Sequence, residues 1–262
     1  MSVTVLFDAP RANWTAFERP LRDALNEAGI EAQLNTKAEP DTVDYVVYAP
    51  GGGITDFAPY TNTRAVLSLW AGVEKIVINP TLTQPLARMV DPGMTEGMTE
   101  WVVGHAMRHH LGMDAHLTAK AGSWNQTAPP LARHRRVGVL GLGALGSAAA
   151  QALAALKFDV SGWSRRPKKI NAITCYSGDD GLREVIASSD ILVLLLPLTT
   201  ATENLLNADS LALMPKKASI LNPGRGQLID DDALLAALDT GQIGSATLDV
   251  FRVEPLPAEH PF

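Results

Sequence analysis

The chain has 262 residues, 46% of them hydrophobic, and a formal net charge of −6 at pH 7, which allows one large buried core or two smaller ones. The acidic balance argues against a nucleic-acid partner, and no apolar run is long enough to span a membrane. Asp8 interrupts the N-terminal apolar run where a secretion signal would continue, so we expect a cytoplasmic protein.

The first part of the chain predicts a small parallel α/β domain. An apolar strand at residues 3–7 precedes an amphipathic helix with Phe17, Leu21 and Leu25 on one face, and Gly29 ends that helix. Further strands are predicted, between loops rich in Pro and Gly, at residues 30–34, 45–48, 66–69 and 75–79.

A long helical pattern over residues 95–117 follows, and we place the domain boundary near residue 95, giving domains of 1–95 and 96–262. His105 and His109 share one face of this helix with the i, i+4 spacing of a metal-binding pair. No third ligand is recognisable, so we predict no metal. Cys175 is the only cysteine and is expected to be a buried apolar group, which excludes an intrachain disulfide.

The most informative motif is the glycine loop, Gly141-Leu142-Gly143-Ala144-Leu145-Gly146. An apolar strand precedes it, an Ala-rich helix follows, and a second strand is predicted at residues 158–163. Gly141 permits a tight turn, Gly143 removes the side chain that would block a pyrophosphate, and Gly146 lets the helix pack close to its strand. The motif therefore predicts a dinucleotide site at a helix N-terminus.

The turn after the second strand indicates which dinucleotide binds. Ser164, Arg165 and Arg166 are followed by Pro167 and two lysines, with no carboxylate to receive a ribose 2′-hydroxyl. Cations there suit a 2′-phosphate, so NADP(H), as NADPH, is favoured and NAD(H) remains the alternative cofactor. A merely solvated basic turn is the other interpretation of the same residues.

The remaining pattern alternates strands and helices. Strands are predicted at residues 191–196, 219–222 and 246–250, with helices near 182–187 and 231–238. The fold class expected is α/β, a Rossmann-type doubly wound parallel sheet plus a smaller flavodoxin-like α/β domain for the substrate. Ligands of such sheets bind beyond the carboxyl ends of the strands, which draws attention to the loops that follow each strand.

Those loops carry a family resemblance. The glycine loop, Asn222-Pro223-Gly224-Arg225-Gly226, Leu248-Asp249-Val250-Phe251 and Glu254-Pro255 occur in the order of the D-isomer-specific 2-hydroxyacid dehydrogenases. Within that family the chain resembles the bacterial glyoxylate/hydroxypyruvate reductase A branch. The resemblance covers nearly the whole chain.

The resemblance implies roles for individual residues. Arg225 matches the arginine that holds the substrate carboxylate and keto oxygen, and Glu254 matches the carboxylate that pairs with a catalytic histidine. Trp70, Ala71 and Gly72 match a loop whose backbone receives the substrate carboxylate. Further positions match residues beside the cofactor: Pro197, Leu198, Thr199, Pro223, Gly224 and Asp249.

The catalytic histidine is where the chain departs from the family pattern. In the family it follows the Glu-Pro pair at some distance, in a Pro-His segment placed beyond Phe262, and the final helix that returns to the first domain also lies beyond it. His260 resembles the segment before that stretch, so it is not assigned as the acid. We expect a shortened form of a longer protein rather than a naturally disabled one; the intact mass of the source protein decides between them.

The function implied is NADPH-dependent reduction of small 2-oxo acids, glyoxylate and hydroxypyruvate, by hydride transfer in a homodimer. An NAD-linked dehydrogenase of the phosphoglycerate or D-lactate type is the nearest alternative. A nucleotide-sensing binding protein that has lost turnover is the alternative of another class. The sequence leaves the physiological 2-oxo acid open.

Overall fold

The computed structural model describes residues 2–124 and 126–262, and the chain forms two compact units, Met1–Asp91 and Pro92–Phe262. The domain boundary predicted near residue 95 lies inside helix α3 (Pro92–Leu111). The division precedes this helix because Val102 and Ala106 on it are buried in the core of the second unit. The helix therefore belongs as a whole to that unit.

The first unit is a parallel five-stranded sheet with the flavodoxin-type strand order β2-β1-β3-β4-β5. Apolar residues of β1 and β3 alternate between its two faces, so that Val5 and Val47 pack on one side and Leu6 and Val46 on the other. Its elements are β1 (Val3–Asp8), α1 (Arg11–Glu27), β2 (Ala32–Asn35), β3 (Tyr45–Tyr48), β4 (Ala65–Ser68), α2 (Glu74–Val77) and β5 (Leu86–Ala87).

The prediction of a strand at residues 75–79 was wrong, because this segment forms the short helix α2. Ile76 reaches the core, whereas Ile78 is 78% exposed, so the two isoleucines do not share a buried strand face. The sheet position next to β4 is taken instead by β5, with Val66 opposite Leu86. An apolar β-branched run formed no strand here because another segment occupies the edge.

The second unit is a parallel six-stranded sheet with the order β11-β10-β9-β6-β7-β8. The helix predicted over residues 95–117 is two helices, because Gly112 adopts a left-handed conformation with φ of 63° that ends α3. Beside α3, the elements are α4 (Met113–Leu117), β6 (Arg136–Leu140), α5 (Ala144–Ala155), β7 (Asp159–Trp163), β8 (Thr174–Tyr176), α6 (Gly178–Ser188), β9 (Ile191–Leu194), α7 (Ala208–Leu213), β10 (Ala218–Asn222), α8 (Asp231–Asp239) and β11 (Ile243–Leu248).

Helices cover both faces of this sheet. The core on one face includes α3 and α5, and the core on the other includes α6, α7 and α8. The predicted doubly wound α/β class is thereby confirmed. Strand order reverses at β6, which pairs with β7 on one side and with β9 on the other, and this is where such sheets bind ligands.

Within the part of the chain that the structure describes, every helix is too short or too polar to cross a membrane.

Candidate functional site

Two glycines of the glycine loop are required by the fold itself. Gly141 follows β6 with φ of 107°, and a Cβ atom there would lie 2.4 Å from the carbonyl oxygen of Leu195. A Cβ atom at Gly146 would lie 1.8 Å from the carbonyl oxygen of Gly141. The helix thus begins against its own strand, at a distance that only glycine permits.

Gly143 differs from Gly141 and Gly146, because the fold leaves room for a side chain at this position. It precedes α5 with φ of −74°, and a Cβ atom there would meet nothing within 4 Å. This open space lies at the N-terminus of a helix of 12 residues, where free N–H groups and the helix dipole favour an anion. The loop therefore fits a dinucleotide pyrophosphate. Ala144 beside it is exposed and Leu145 is half-buried.

Leu142 anchors the glycine loop to the neighbouring strand β7. Its side chain is 1% exposed and lies against β7, where a Cβ atom at Gly162 would be 2.6 Å from Leu142 Cδ2. Gly162 thus makes room for Leu142, a link between the first two strands that the motif alone does not show.

The basic turn, residues 164–169, follows β7 at the same edge. Ser164 is buried, and its hydroxyl donates a hydrogen bond of 2.8 Å to the carbonyl oxygen of Arg166. Arg165 and Arg166 are exposed. The ammonium group of Lys168 donates a hydrogen bond to the carbonyl oxygen of Leu142, so a cation contacts the glycine loop directly. Sequence reasoning did not select Lys168, since its position in the turn does not reveal this contact.

The loop after β9 is held by one hydroxyl. Thr202 Oγ1 donates to the carbonyl oxygen of Pro197 at 2.7 Å and accepts from the backbone N–H of Thr199 at 2.8 Å. Leu198 between them is half-buried, and Pro197 and Thr199 are exposed. These three predicted cofactor contacts therefore lie beside the strand that pairs with β6.

The arginine loop, residues 222–226, is organised by Asn222, which is 1% exposed. Its Nδ2 donates to the carbonyl oxygen of Arg225 at 2.9 Å, and its Oδ1 accepts from the N–H of Gly224 at 3.1 Å. Pro223 and Gly224 are buried, and Arg225 is half-buried. Arg225 Nη1 donates to the carbonyl oxygen of Gly224 at 2.7 Å, which holds the guanidinium over its own loop.

The carboxylate loop, residues 249–254, lies directly against the arginine loop. A Cβ atom at Gly226 would be 2.1 Å from the carbonyl carbon of Phe251, so glycine allows the two backbones to meet. Glu254 Oε1 accepts a hydrogen bond of 2.9 Å from the N–H of Phe251, and the Glu254–Pro255 peptide is cis. Asp249 is exposed and bonds through its N–H to the carbonyl oxygen of Asn222 at 3.1 Å. The structure thus brings the loops of Arg225, Glu254 and Asp249 to the edge where the glycine loop lies.

Trp70, Ala71 and Gly72 belong to the first unit, in the loop after β4. Ser68 Oγ donates to the carbonyl oxygen of Trp70 at 3.0 Å and accepts from its N–H at 3.2 Å. The Trp70 side chain is 45% exposed, and Ala71 and Gly72 are half-buried. This loop lies at the carboxyl edge of its own sheet, where a substrate loop is expected.

At that edge Asp8, at the end of β1, is buried and accepts a hydrogen bond of 2.6 Å from the N–H of Gly53. Burial raises the pKa of Asp8, and hydrogen bonds from Gly53 and Ile54 work in the opposite direction. The carboxylate therefore shapes the Gly-rich turn after β3.

Of the six histidines in the chain, His109, His105 and His260 have the following neighbours. His109 Nε2 is 2.9 Å from Thr247 Oγ1, and its Nδ1 is 3.1 Å from Ser245 Oγ. The ring of His105 lies 4.3 Å from that of Trp101. His260 Nε2 is 3.8 Å from Asp231 Oδ2, at the start of α8. Among residues 2–124 and 126–262, no three His, Cys, Asp or Glu side chains form a cluster that could hold a metal ion.

The fold and the glycine loop define a Rossmann-type dinucleotide-binding protein, and comparisons with known proteins narrow the class. Residues 101–262 match the family model of the D-isomer-specific 2-hydroxyacid dehydrogenase NAD-binding domain. The chain belongs to the D-isomer-specific 2-hydroxyacid dehydrogenase family. The family predicted from the loops is confirmed.

The similar proteins include two reductases and one dehydrogenase. The chain is 37% identical over 251 residues to a glyoxylate/hydroxypyruvate reductase A of Yersinia enterocolitica, covering 90% of this chain and 80% of the relative. A D-isomer-specific 2-hydroxyacid dehydrogenase from Xanthobacter autotrophicus Py2, solved with NADPH and MES, is 36% identical with a TM-score of 0.92 over 100% of this chain and 84% of that one. An NADPH-dependent glyoxylate/hydroxypyruvate reductase from Sinorhizobium meliloti, solved with NADP and sulfate, is 32% identical with a TM-score of 0.84 over 99% and 84%.

Proposed function

We propose that the protein reduces small 2-oxo acids, glyoxylate and hydroxypyruvate, to 2-hydroxy acids with NADPH. The observation that carries the proposal is the placement of the glycine loop and the arginine loop at one edge of one sheet, with an open helix N-terminus at Gly143. The reductases of Yersinia enterocolitica and Sinorhizobium meliloti, to which the chain is similar, support the substrate class.

Each residue of the site has a role in this reaction. When bound, NADPH supplies the hydride. Arg225 pairs with the substrate carboxylate and keto oxygen, and its positive charge stabilises the negative charge that develops on that oxygen. Glu254 orients the imidazole of the general acid that the family resemblance implies, and keeps it protonated. In the first unit, the backbone of Trp70, Ala71 and Gly72 is the proposed substrate-binding loop, as the family resemblance implies.

The cofactor residues divide by the part of NADPH that they hold. The glycine loop receives the pyrophosphate, and Ser164, Arg165 and Arg166 receive the 2′-phosphate, with Lys168 as a further cation between these two positions. The loops that contain Pro197, Gly224 and Asp249 line the nicotinamide end. NADPH is the preferred cofactor and NADH the weaker one. The family resemblance is the basis for proposing a cytoplasmic homodimer.

The test is turnover of the full-length protein. We expect glyoxylate and hydroxypyruvate to oxidise NADPH with a higher kcat/KM than NADH gives. Arg225→Lys removes the two-pronged hydrogen-bond donor and keeps the charge, so kcat/KM should fall by about 100-fold while NADPH affinity is retained. Arg183→Lys on the exposed side of α6 is the matched control and should change neither quantity.

Two results contradict the proposal. Tight NADPH binding without turnover on any 2-oxo acid indicates the nucleotide-sensing alternative. Faster turnover with NADH than with NADPH indicates an NAD-linked dehydrogenase. It also contradicts the proposal that the basic turn binds the 2′-phosphate of NADPH.

A further inference from the structure

Arg252 connects three separate segments through its side chain. Its Nη2 donates to the carbonyl oxygen of Ile229 at 2.6 Å and also to Asn204 Oδ1, and its Nε lies 3.7 Å from Asp231 Oδ1. Asn204 belongs to the chain between β9 and α7, Ile229 follows the arginine loop, and Asp231 begins α8. One guanidinium thus joins the carboxylate loop to the segment after β9 and to the segment that follows the arginine loop.

The backbone of Arg252 meets the arginine loop as well. Its carbonyl oxygen accepts a hydrogen bond of 3.3 Å from Gln227 Nε2, and a Cβ atom at Gly226 would lie 2.5 Å from its backbone nitrogen. Gly226 is the residue after Arg225, and Glu254 is two residues beyond Arg252. Any shift of Arg252 therefore moves the two proposed functional side chains relative to each other.

The interaction between Arg252 and Asp231 is partly buried. The side chains of Arg252 and Asp231 are 28% and 24% exposed, so their interaction is partly shielded from water and from salt. The planar guanidinium can serve a carbonyl, an amide oxygen and a carboxylate at once, whereas the single ammonium of a lysine cannot match that geometry. The loops are thereby held by a residue that neither the glycine motif nor the family motifs single out.

We propose that Arg252 is a positioning residue that sets the geometry between Arg225 and Glu254. This inference rests on the proposed function, because the two side chains are the ones that the reduction of a 2-oxo acid uses. Arg252 acts on them through Ile229 and Gly226.

The experiment compares Arg252→Lys, the milder Asp231→Asn, and the control Arg183→Lys in the full-length protein. Arg252→Lys should lower kcat with glyoxylate by about 10- to 100-fold and leave the Kd for NADPH within about twofold of wild type. It should also move the alkaline limit of kcat/KM to lower pH, as Glu254→Gln should, because a displaced Glu254 no longer keeps the acid imidazole protonated. Asp231→Asn should act in the same direction with a smaller effect.

A second readout is independent of turnover. In nuclear magnetic resonance spectra of arginine side chains, the Nε–H signal of Arg225 should shift in Arg252→Lys and stay in place in Arg183→Lys. If wild type turns over while Arg252→Lys keeps its kcat, its pH profile and the Arg225 signal, the inference is overturned. A kcat loss that only follows a loss of folded protein and of NADPH binding overturns it too. Absence of turnover in wild type refutes the proposed function instead, and the Arg225 signal then decides the positioning role alone.

Discussion

Gly143 and Gly146 belong to the same motif, but glycine occurs at the two positions for different physical reasons. At Gly146 the carbonyl oxygen of Gly141 occupies the place of a side chain, so folding requires glycine. At Gly143 the space is open, so the fold does not require glycine, and we assign the requirement to the proposed pyrophosphate. A pattern of glycines in a sequence does not separate these two cases, whereas the surroundings of each Cβ position do.

Replacing each glycine by alanine should separate the two roles. Gly146→Ala places a methyl group against a backbone carbonyl and should lower the free energy of unfolding by about 3 kcal/mol or more. Gly143→Ala keeps an allowed backbone and should cost at most about 1 kcal/mol as a poorer N-cap, while NADPH affinity falls by about tenfold or more. Urea unfolding and fluorescence titration with NADPH measure the two effects. Unchanged NADPH affinity in Gly143→Ala would place the pyrophosphate elsewhere.

Lys168 shows which contacts of a single residue the sequence can predict and which it cannot. Composition marks the whole turn as basic, and the sequence points to Ser164, Arg165 and Arg166 because two guanidinium groups stand there beside a hydroxyl. Which lysine turns back to the glycine loop depends on the path of the chain after Pro167, and the hydrogen bond to Leu142 emerges only from that path.

At the scale of elements, helix α3 is fastened to strand β11 by a histidine. His109 lies between the hydroxyl groups of Ser245 and Thr247. Burial lowers its pKa, with Asp114 acting to raise it and Arg108 and His105 acting to lower it. The i, i+4 pair of His105 and His109 looked like a metal pair from spacing alone, yet its second member is used for helix packing.

This contact predicts a pH dependence of stability. A histidine whose folded pKa lies below the ordinary value of 6.5 binds its proton more readily in the unfolded chain, so its contribution is complete above pH 6.5 and is lost as the pH falls through the folded pKa. His109→Gln should lower the free energy of unfolding by about 1 kcal/mol near neutral pH and should lose less stability on acidification than wild type. Denaturant unfolding at about pH 7.5 and about pH 5.5 measures this.

The exposed His116 is the matched control. His116→Gln should keep the pH dependence of the wild type. An identical slope in His109→Gln and wild type would contradict the packing role of His109.

The elements themselves were largely predictable. The strands β6, β9 and β10 are largely apolar runs, and β7 follows the helix after the glycine loop at the expected distance. The predicted parallel sheet follows from the alternation of these strands with helices. The failures have local causes. The segment at α2 is as apolar and β-branched as a strand and was displaced by β5, and α7 is a short helix of six residues that offers too few turns for a periodic signal.

At the scale of the whole molecule, the net charge has the same sign as the charge of the proposed ligands. The chain carries a net charge of −6, whereas NADPH and 2-oxo acids are anions. Their attraction must therefore come from local cations at the carboxyl edge of the second sheet, the basic turn and Arg225, rather than from the overall field.

Affinity for NADPH should accordingly depend on salt more than affinity for NADH does. Raising the ionic strength from about 0.05 M to about 0.5 M shortens the screening length to a few ångström, so the preference for NADPH should narrow. Lys168→Met should weaken NADPH binding by about three- to tenfold at low salt and weaken NADH binding less. Fluorescence titrations at the two ionic strengths give these values.

Lys216→Met is the control, since Lys216 is exposed at the opposite edge of the same sheet, where β10 begins. It removes the same charge and should leave both affinities unchanged. An equal effect of the two substitutions, or a preference independent of salt, would contradict recognition of the 2′-phosphate by the basic turn.

The sequence by itself determined the family, the two α/β units, the position of the glycine loop and the basic character of the turn after β7, because each is written in a contiguous run of residues or in a local period. The tertiary structure decided what depends on residues far apart in the chain: the fold's need for Gly146 but not for Gly143, the contact of Lys168 with Leu142, the use of His109 against β11, and the junction at Arg252. Such contacts form only when distant strands align at one edge of the sheet, and no local pattern specifies which side chains then meet.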